Sequence, residues 1–165
     1  MDDIALELEA TKGLLYHYFP SKQEILAAIL QEHPLRAAID SIEAGVEGRD
    51  LDTSLSLVTS ESLRTMRENR AFIRFLLLEA QSSREQAEVV FREVVDRWTA
   101  AYESVIRPHL APPDPSSARL LARQLIDIVL SAFIRNELAG HPVDDLEEYL
   151  QEAVETVITR IKSKD

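Results

Sequence analysis

Thr11 to Lys22 reads TKGLLYHYFPSK and gathers polar donors of several kinds into twelve residues. Thr11 and Lys12 set a hydroxyl beside an ammonium group, Gly13 has no side chain to hold its backbone off a surface, and Tyr16, His17 and Lys22 add further donors. Hydroxyls and cations at a helix start can hydrogen-bond to base edges, and cations with helix-terminal amides can hold phosphate oxygens. Catalytic chemistry is not on offer. His17, His33, His109 and His141 lack the spacing of a metal-binding pair, no glycine-rich phosphate loop is present, no serine sits in a nucleophile elbow, and there is no cysteine. The reading is therefore no enzyme, no metal and no cofactor.

Placing those donors requires a scaffold. The chain has 165 residues, 45% of them hydrophobic and 28% charged, enough for a substantial buried core. No run of about 18 apolar residues exists, and the acidic start MDDIALELEA is unlike a signal peptide. We expect a cytoplasmic protein with no membrane partner. The formal net charge of -11 repels polyanions over most of the surface, so nucleic-acid binding has to be local. Before Pro34 the only lysines or arginines are Lys12 and Lys22, against Asp2, Asp3, Glu7, Glu9, Glu24 and Glu32.

Apolar residues recur at three and four, strand-like alternation is absent, and only four glycines and seven prolines interrupt the pattern, which makes the fold class all-α. A short segment from Asp2 to Leu8 is followed by a turn near Glu9 and Ala10. Thr11 caps the next helix, Pro20 ends it, and Ser21 with Glu24 forms a capping box for a helix to about His33, where Pro34 breaks or kinks the chain. Further helices are predicted at Leu35 to Glu47, Thr53 to Arg67, Arg70 to Gln81, Arg84 to Arg107, Ser116 to Ala139 and Asp144 to Lys162. Two short helices joined by a tight turn make a helix-turn-helix, whose second helix, beginning here at Thr11, enters the major groove.

The order Ile4-Ala5, then Thr11, Gly13, Tyr16, Phe19, Ser21 and Lys22, resembles the DNA-binding segment of the TetR family of transcriptional repressors, over Ile4 to Leu26. The resemblance implies a TetR-like all-helical homodimer with a DNA-binding segment at residues 1–33 and a ligand-binding and dimerisation domain at 34–165. By position, Thr11, Lys12 and Gly13 fall where the family reads bases of double-stranded operator DNA, Tyr16, His17 and Lys22 where it holds phosphates, and Leu15 and Phe19 in the core. Two features depart from the pattern. Glu9 stands where the family has a turn glycine. The family's first helix has no counterpart before Ile4, which leads us to expect an upstream continuation of the natural chain bearing basic residues.

The later helices carry wide apolar stripes. On the Ser116 helix the row Arg119, Arg123, Asp127, Ser131 and Arg135 is polar, and most of the remaining circumference is apolar. Together with the stripe of the last helix it suggests a two-fold four-helix interface, for which Leu121, Leu125, Ile128, Val129, Tyr149, Leu150, Val154, Val157 and Ile161 are the candidates. The family's effector pocket lies among central helices, which here carry Phe72, Phe75, Phe91, Trp98, Tyr102 and Phe133 with Glu79 and Arg97 as polar anchors. A hydrophobic or aromatic small molecule suits such a set. The function these readings imply is a ligand-responsive repressor on a palindromic operator. The alternative is a dimeric small-molecule-binding or interaction module without autonomous DNA binding.

Overall fold

A computed structural model of the chain describes residues 6, 9, 11–46, 48–110, 115–142 and 144–163, and the regular elements among them are all helical. The Asp2 to Leu8 segment lies outside these residues except for Leu6, as do Ile4 and Ala5 of the motif and Glu47. Helix α1 is Lys12–Tyr18, α2 is Lys22–Glu32, α3 is Pro34–Gly45, α4 is Leu51–Glu68 and α5 is Arg70–Ser82. Helices α6 (Arg84–Val90) and α7 (Asp96–Ile106) are joined without a break by a π-helical turn at Phe91–Val95. Helix α8 is Pro115–Phe133, extended by a second π turn at Ile134–Leu138, and α9 is Leu146–Lys162.

Local chemistry explains most of these boundaries. The Thr11 hydroxyl accepts from the Leu14 N–H at 3.2 Å, and the Ser21 hydroxyl from the Glu24 N–H at 3.2 Å. Ser83 likewise accepts from the Gln86 N–H at 3.2 Å. Each satisfies one of the backbone donors that a helix start leaves over. Helix α4 begins two residues before its predicted start. Asp50 accepts from both the Thr53 N–H at 2.9 Å and the Thr53 hydroxyl at 2.7 Å, and these bonds hold its carboxyl below the usual range. The single helix predicted from Arg84 to Arg107 is continuous but changes phase at its π turn, where Val94 is buried and Phe91 is exposed.

Helix α8 packs against α4, α7 and α9, while α9 covers α4 and α8. One apolar core runs from Leu26 and Leu30 on α2 to Ile161 on α9. Tyr102, Phe133, Leu55, Met66 and Leu125 are among its most completely enclosed side chains. Helix α2 rests on α6 and the π turn that follows, so the segment before Pro34 is attached to the bundle through this face.

Glu9 adopts φ of 50°, the left-handed conformation that the turn before α1 demands, and its N–H donates to the Leu6 carbonyl at 3.2 Å. A side-chain residue pays about 1 kcal/mol there that glycine does not. Glu9→Gly is therefore expected to raise stability by roughly 0.5–1 kcal/mol. Chemical denaturation checks this, and an unchanged or lowered midpoint would contradict the assigned strain.

Candidate nucleic-acid interface

The α1 surface is built around one buried side chain. Leu15 faces inward and Phe19 is half-buried, while Thr11, Gly13, Leu14, Tyr16, His17 and Tyr18 are all exposed. A seven-residue helix carries little stability of its own. Thr11 caps its start, and the Phe19 N–H closes its end on the Leu15 carbonyl at 2.8 Å. Pro20 follows and cannot continue it. His17, in the last turn, sits where a cation complements the helix dipole, with its ring edge-on to Tyr18 at 5.2 Å.

Thr11 uses an oxygen lone pair for the cap, which leaves its hydroxyl hydrogen free to donate outward. Lys12 is the first residue of α1. A Cβ added at Gly13 meets no atom within 4 Å, so the fold does not need glycine there. What its missing side chain leaves open is approach from outside. Tyr16 projects from the same short helix, and Lys22 opens α2 immediately beyond the Ser21 cap.

Lys22 is committed elsewhere. Its ammonium group lies 2.8 Å from Glu79 on α5, with the lysine side chain 45% exposed and the glutamate 18%. Gln86 donates to the same carboxylate oxygen, its amide nitrogen 2.9 Å away in the orientation its neighbours require. Two residues expected at separate sites, one for phosphate and one for an effector, are thus ion-paired. The sequence offered no signal for this, because the partners lie on different helices.

The connection from α1 and α2 to the bundle passes through a residue that sequence reasoning did not single out. His33 ends α2, accepts at Nδ1 from the Leu35 N–H at 3.1 Å, and stacks on Phe72 with ring centroids 3.6 Å apart and planes 3° from parallel. Burial pushes its pKa below the ordinary value, favouring the neutral ring that keeps Nδ1 an acceptor. Phe75 extends the stack at 6.0 Å from Phe72. The adjacent Pro34 starts α3, so the break predicted at this point is a junction of two helices.

The residues predicted to line an effector pocket are distributed over three environments. Phe72 and Phe75 stack beside His33, and Phe91 is an exposed surface residue. Trp98, Tyr102 and Phe133 are core, and Glu79 is paired with Lys22. A cavity of about 730 Å³ between α4 and α9 has none of them in its lining, nor does one of about 580 Å³ where the turn after α3 meets the end of α7.

The interface stripe also faces inward. Leu121, Leu125, Val129, Leu150, Val154, Val157 and Ile161 are already buried within the single chain, since α8 and α9 cover α4, α7 and each other. Of the nine candidates only the half-buried Ile128 and the exposed Tyr149 present area to a partner. On the polar row of α8, Arg119 reaches Asp96 at 3.2 Å and Glu103 at 3.7 Å, both on α7. Among the described residues no group of three or more His, Asp or Glu could hold a metal, and no helix is long and apolar enough to cross a membrane.

Residues 1–29 match the family model of bacterial regulatory proteins, tetR family. No curated protein and no solved structure matches the chain.

Proposed function

We propose, for a chain whose first 29 residues match the model of bacterial regulatory proteins of the tetR family, a ligand-responsive repressor that binds a palindromic operator as a homodimer. Residues 1–33 serve as the DNA-binding segment and 34–165 as the ligand-binding and dimerisation domain, in a cytoplasmic, non-enzymatic regulator. The observation that carries this reading is α1 itself: a capped helix after a left-handed turn, anchored by Leu15, with Thr11, Gly13, Tyr16 and His17 outward. Thr11, Lys12 and Gly13 meet bases, and Tyr16, His17 and Lys22 meet phosphates. Dimer contact falls to the outer faces of α8 and α9, where Leu120, Ile128 and Tyr149 remain available. A small hydrophobic effector releases the DNA by favouring the conformation with lower operator affinity.

The test is binding to promoter DNA from the protein's own gene neighbourhood across a salt series. Specific binding that weakens steeply with salt supports the reading, and salt-independent or absent binding opposes it. The Lys22–Glu79 pair supplies an internal check, because a phosphate must compete with Glu79 for Lys22. Glu79→Gln is expected to tighten operator binding by about two- to fivefold at low salt and to steepen the log–log salt slope by about one unit.

The reading of a dimeric small-molecule-binding module without autonomous DNA binding draws support from the same pair, together with the acidic N-terminal segment. Under that reading Glu79→Gln changes no DNA affinity.

A further inference from the structure

A row of hydroxyls lies buried where α4 meets α7. The Tyr102 phenol is fully enclosed and lies 3.4 Å from the Thr59 hydroxyl. Ser62, one turn along α4 from Thr59, faces the same phenol without reaching hydrogen-bonding geometry, so its buried oxygen has no partner among the described residues. Burial pushes the Tyr102 pKa up to about 12 against the pull of these two hydroxyls, so the phenol keeps its proton. A buried hydroxyl left without a partner costs free energy that a bound acceptor or donor can recover.

Thr59 has a second role. It also lines the cavity of about 730 Å³ between α4 and α9, whose apolar walls include Leu57, Leu63, Leu150 and Val154. That volume is within the range of small-molecule sites. The charges at its edge are unfavourable for an anion. Arg64 is engaged by Glu61 and Glu68, and Arg67 by Glu137, while Asp145 and Glu147 add further negative charge. The neutral Thr59 hydroxyl stands at the inner end, backed by the enclosed Tyr102, and the outer edge is acidic overall.

We propose that the α4–α9 cavity binds an uncharged, elongated, largely apolar molecule bearing one carbonyl-type oxygen. The oxygen accepts from the Thr59 hydroxyl, which the enclosed Tyr102 phenol orients from behind by donating to it at 3.4 Å, while the apolar body lies against Leu57, Leu63, Leu150 and Val154. This deepens the effector half of the proposed function by naming the ligand's chemistry and its place, and it rests on that reading only for the consequence to DNA. The site selects by hydrogen bonding at the inner end and by apolar burial along the body, and it rejects carboxylates of equal length because no uncommitted cation meets them.

The probe is 2-decanone, compared with decanoate at pH 8 by isothermal titration. The emission of Trp98, the only tryptophan and one turn before Tyr102 on α7, provides a second readout. Saturable ketone binding at one site is expected, with decanoate binding at least about tenfold weaker. Thr59→Val and Tyr102→Phe should each weaken the ketone about fivefold with unchanged helical content, while Thr59→Ser retains binding. Val154→Phe, which fills the cavity, should abolish it. Equal binding of ketone and decanoate, or ketone affinity indifferent to Thr59→Val, Tyr102→Phe and Val154→Phe, would overturn the site. Operator binding measured in parallel separates the two levels. Ketone bound here without any effect on DNA leaves the site standing and sinks its role as the effector site, whereas intact operator binding with no ketone binding sinks the site alone.

Discussion

Gly13→Glu is expected to lower operator affinity by at least about a hundredfold while leaving thermal stability unchanged or raised. The two halves of this expectation have separate causes. Gly13 is exposed in the first turn of α1, and a Cβ built there meets no atom within 4 Å, so the folded chain accommodates a side chain freely. Replacing glycine inside a helix gains about 0.5–1 kcal/mol, and a carboxylate in a first turn complements the helix dipole. On DNA the same change puts bulk and negative charge where α1 has to approach the groove most closely. Gly13→Ala separates bulk from charge and is expected to show an intermediate loss. Binding titrations and thermal melts of the same samples check this. Wild-type operator affinity in Gly13→Glu would remove α1 from the interface.

The second large effect concerns stability. Phe133 is 0% exposed, whereas Phe91 is 49% exposed, although both have the composition expected of an effector pocket. Phe133→Ala leaves a cavity in the core contacted by α8 and is expected to cost about 3–5 kcal/mol, lowering the melting temperature by about 10 °C or more. Phe91→Ala removes a ring that is half in water and should change stability by no more than about 0.5 kcal/mol. Denaturant unfolding of the two variants gives the contrast directly. Similar small losses for both would mean that Phe133 lines a space able to collapse, which fits a ligand chamber better than a packed core.

These two phenylalanines show where residue order stops being informative. Each occurs in an apolar helical stretch, and nothing in its neighbours along the chain distinguishes them. The π turn at Phe91–Val95 shifts the phase of the helix, and Phe91 is left on the surface. The stripe on α8 and α9 is a similar case. Its width was visible, but α4 and α7 of the same chain cover most of it, leaving Ile128, Tyr149 and the flanking Leu120 for any partner. An apolar stripe records that a face has to be buried and says nothing about which surface buries it.

Helix starts were legible because a cap joins residues only three apart. Thr11, Ser21 and Ser83 each accept from the N–H three positions on, as their sequence context required. The turn before α1 was legible for a related reason: a left-handed residue is a property of one position, and Glu9 at φ of 50° carries the strain that its type predicts. The segment proposed to read DNA belongs to this class, since Thr11 caps, and Gly13, Tyr16 and His17 lie on, a single seven-residue helix. The pairing of Lys22 with Glu79, the stacking of His33 on Phe72, and the meeting of Thr59 and Ser62 with Tyr102 belong to the other. Those contacts join helices distant in the chain, and their energies depend on interhelical packing that no local spacing encodes. The order of residues was therefore enough to establish an all-helical chain, the family-like segment at its start and its helix caps. Three-dimensional packing chose which cation is already neutralised, which aromatics are core, and where a cavity has both an apolar wall and a buried hydroxyl.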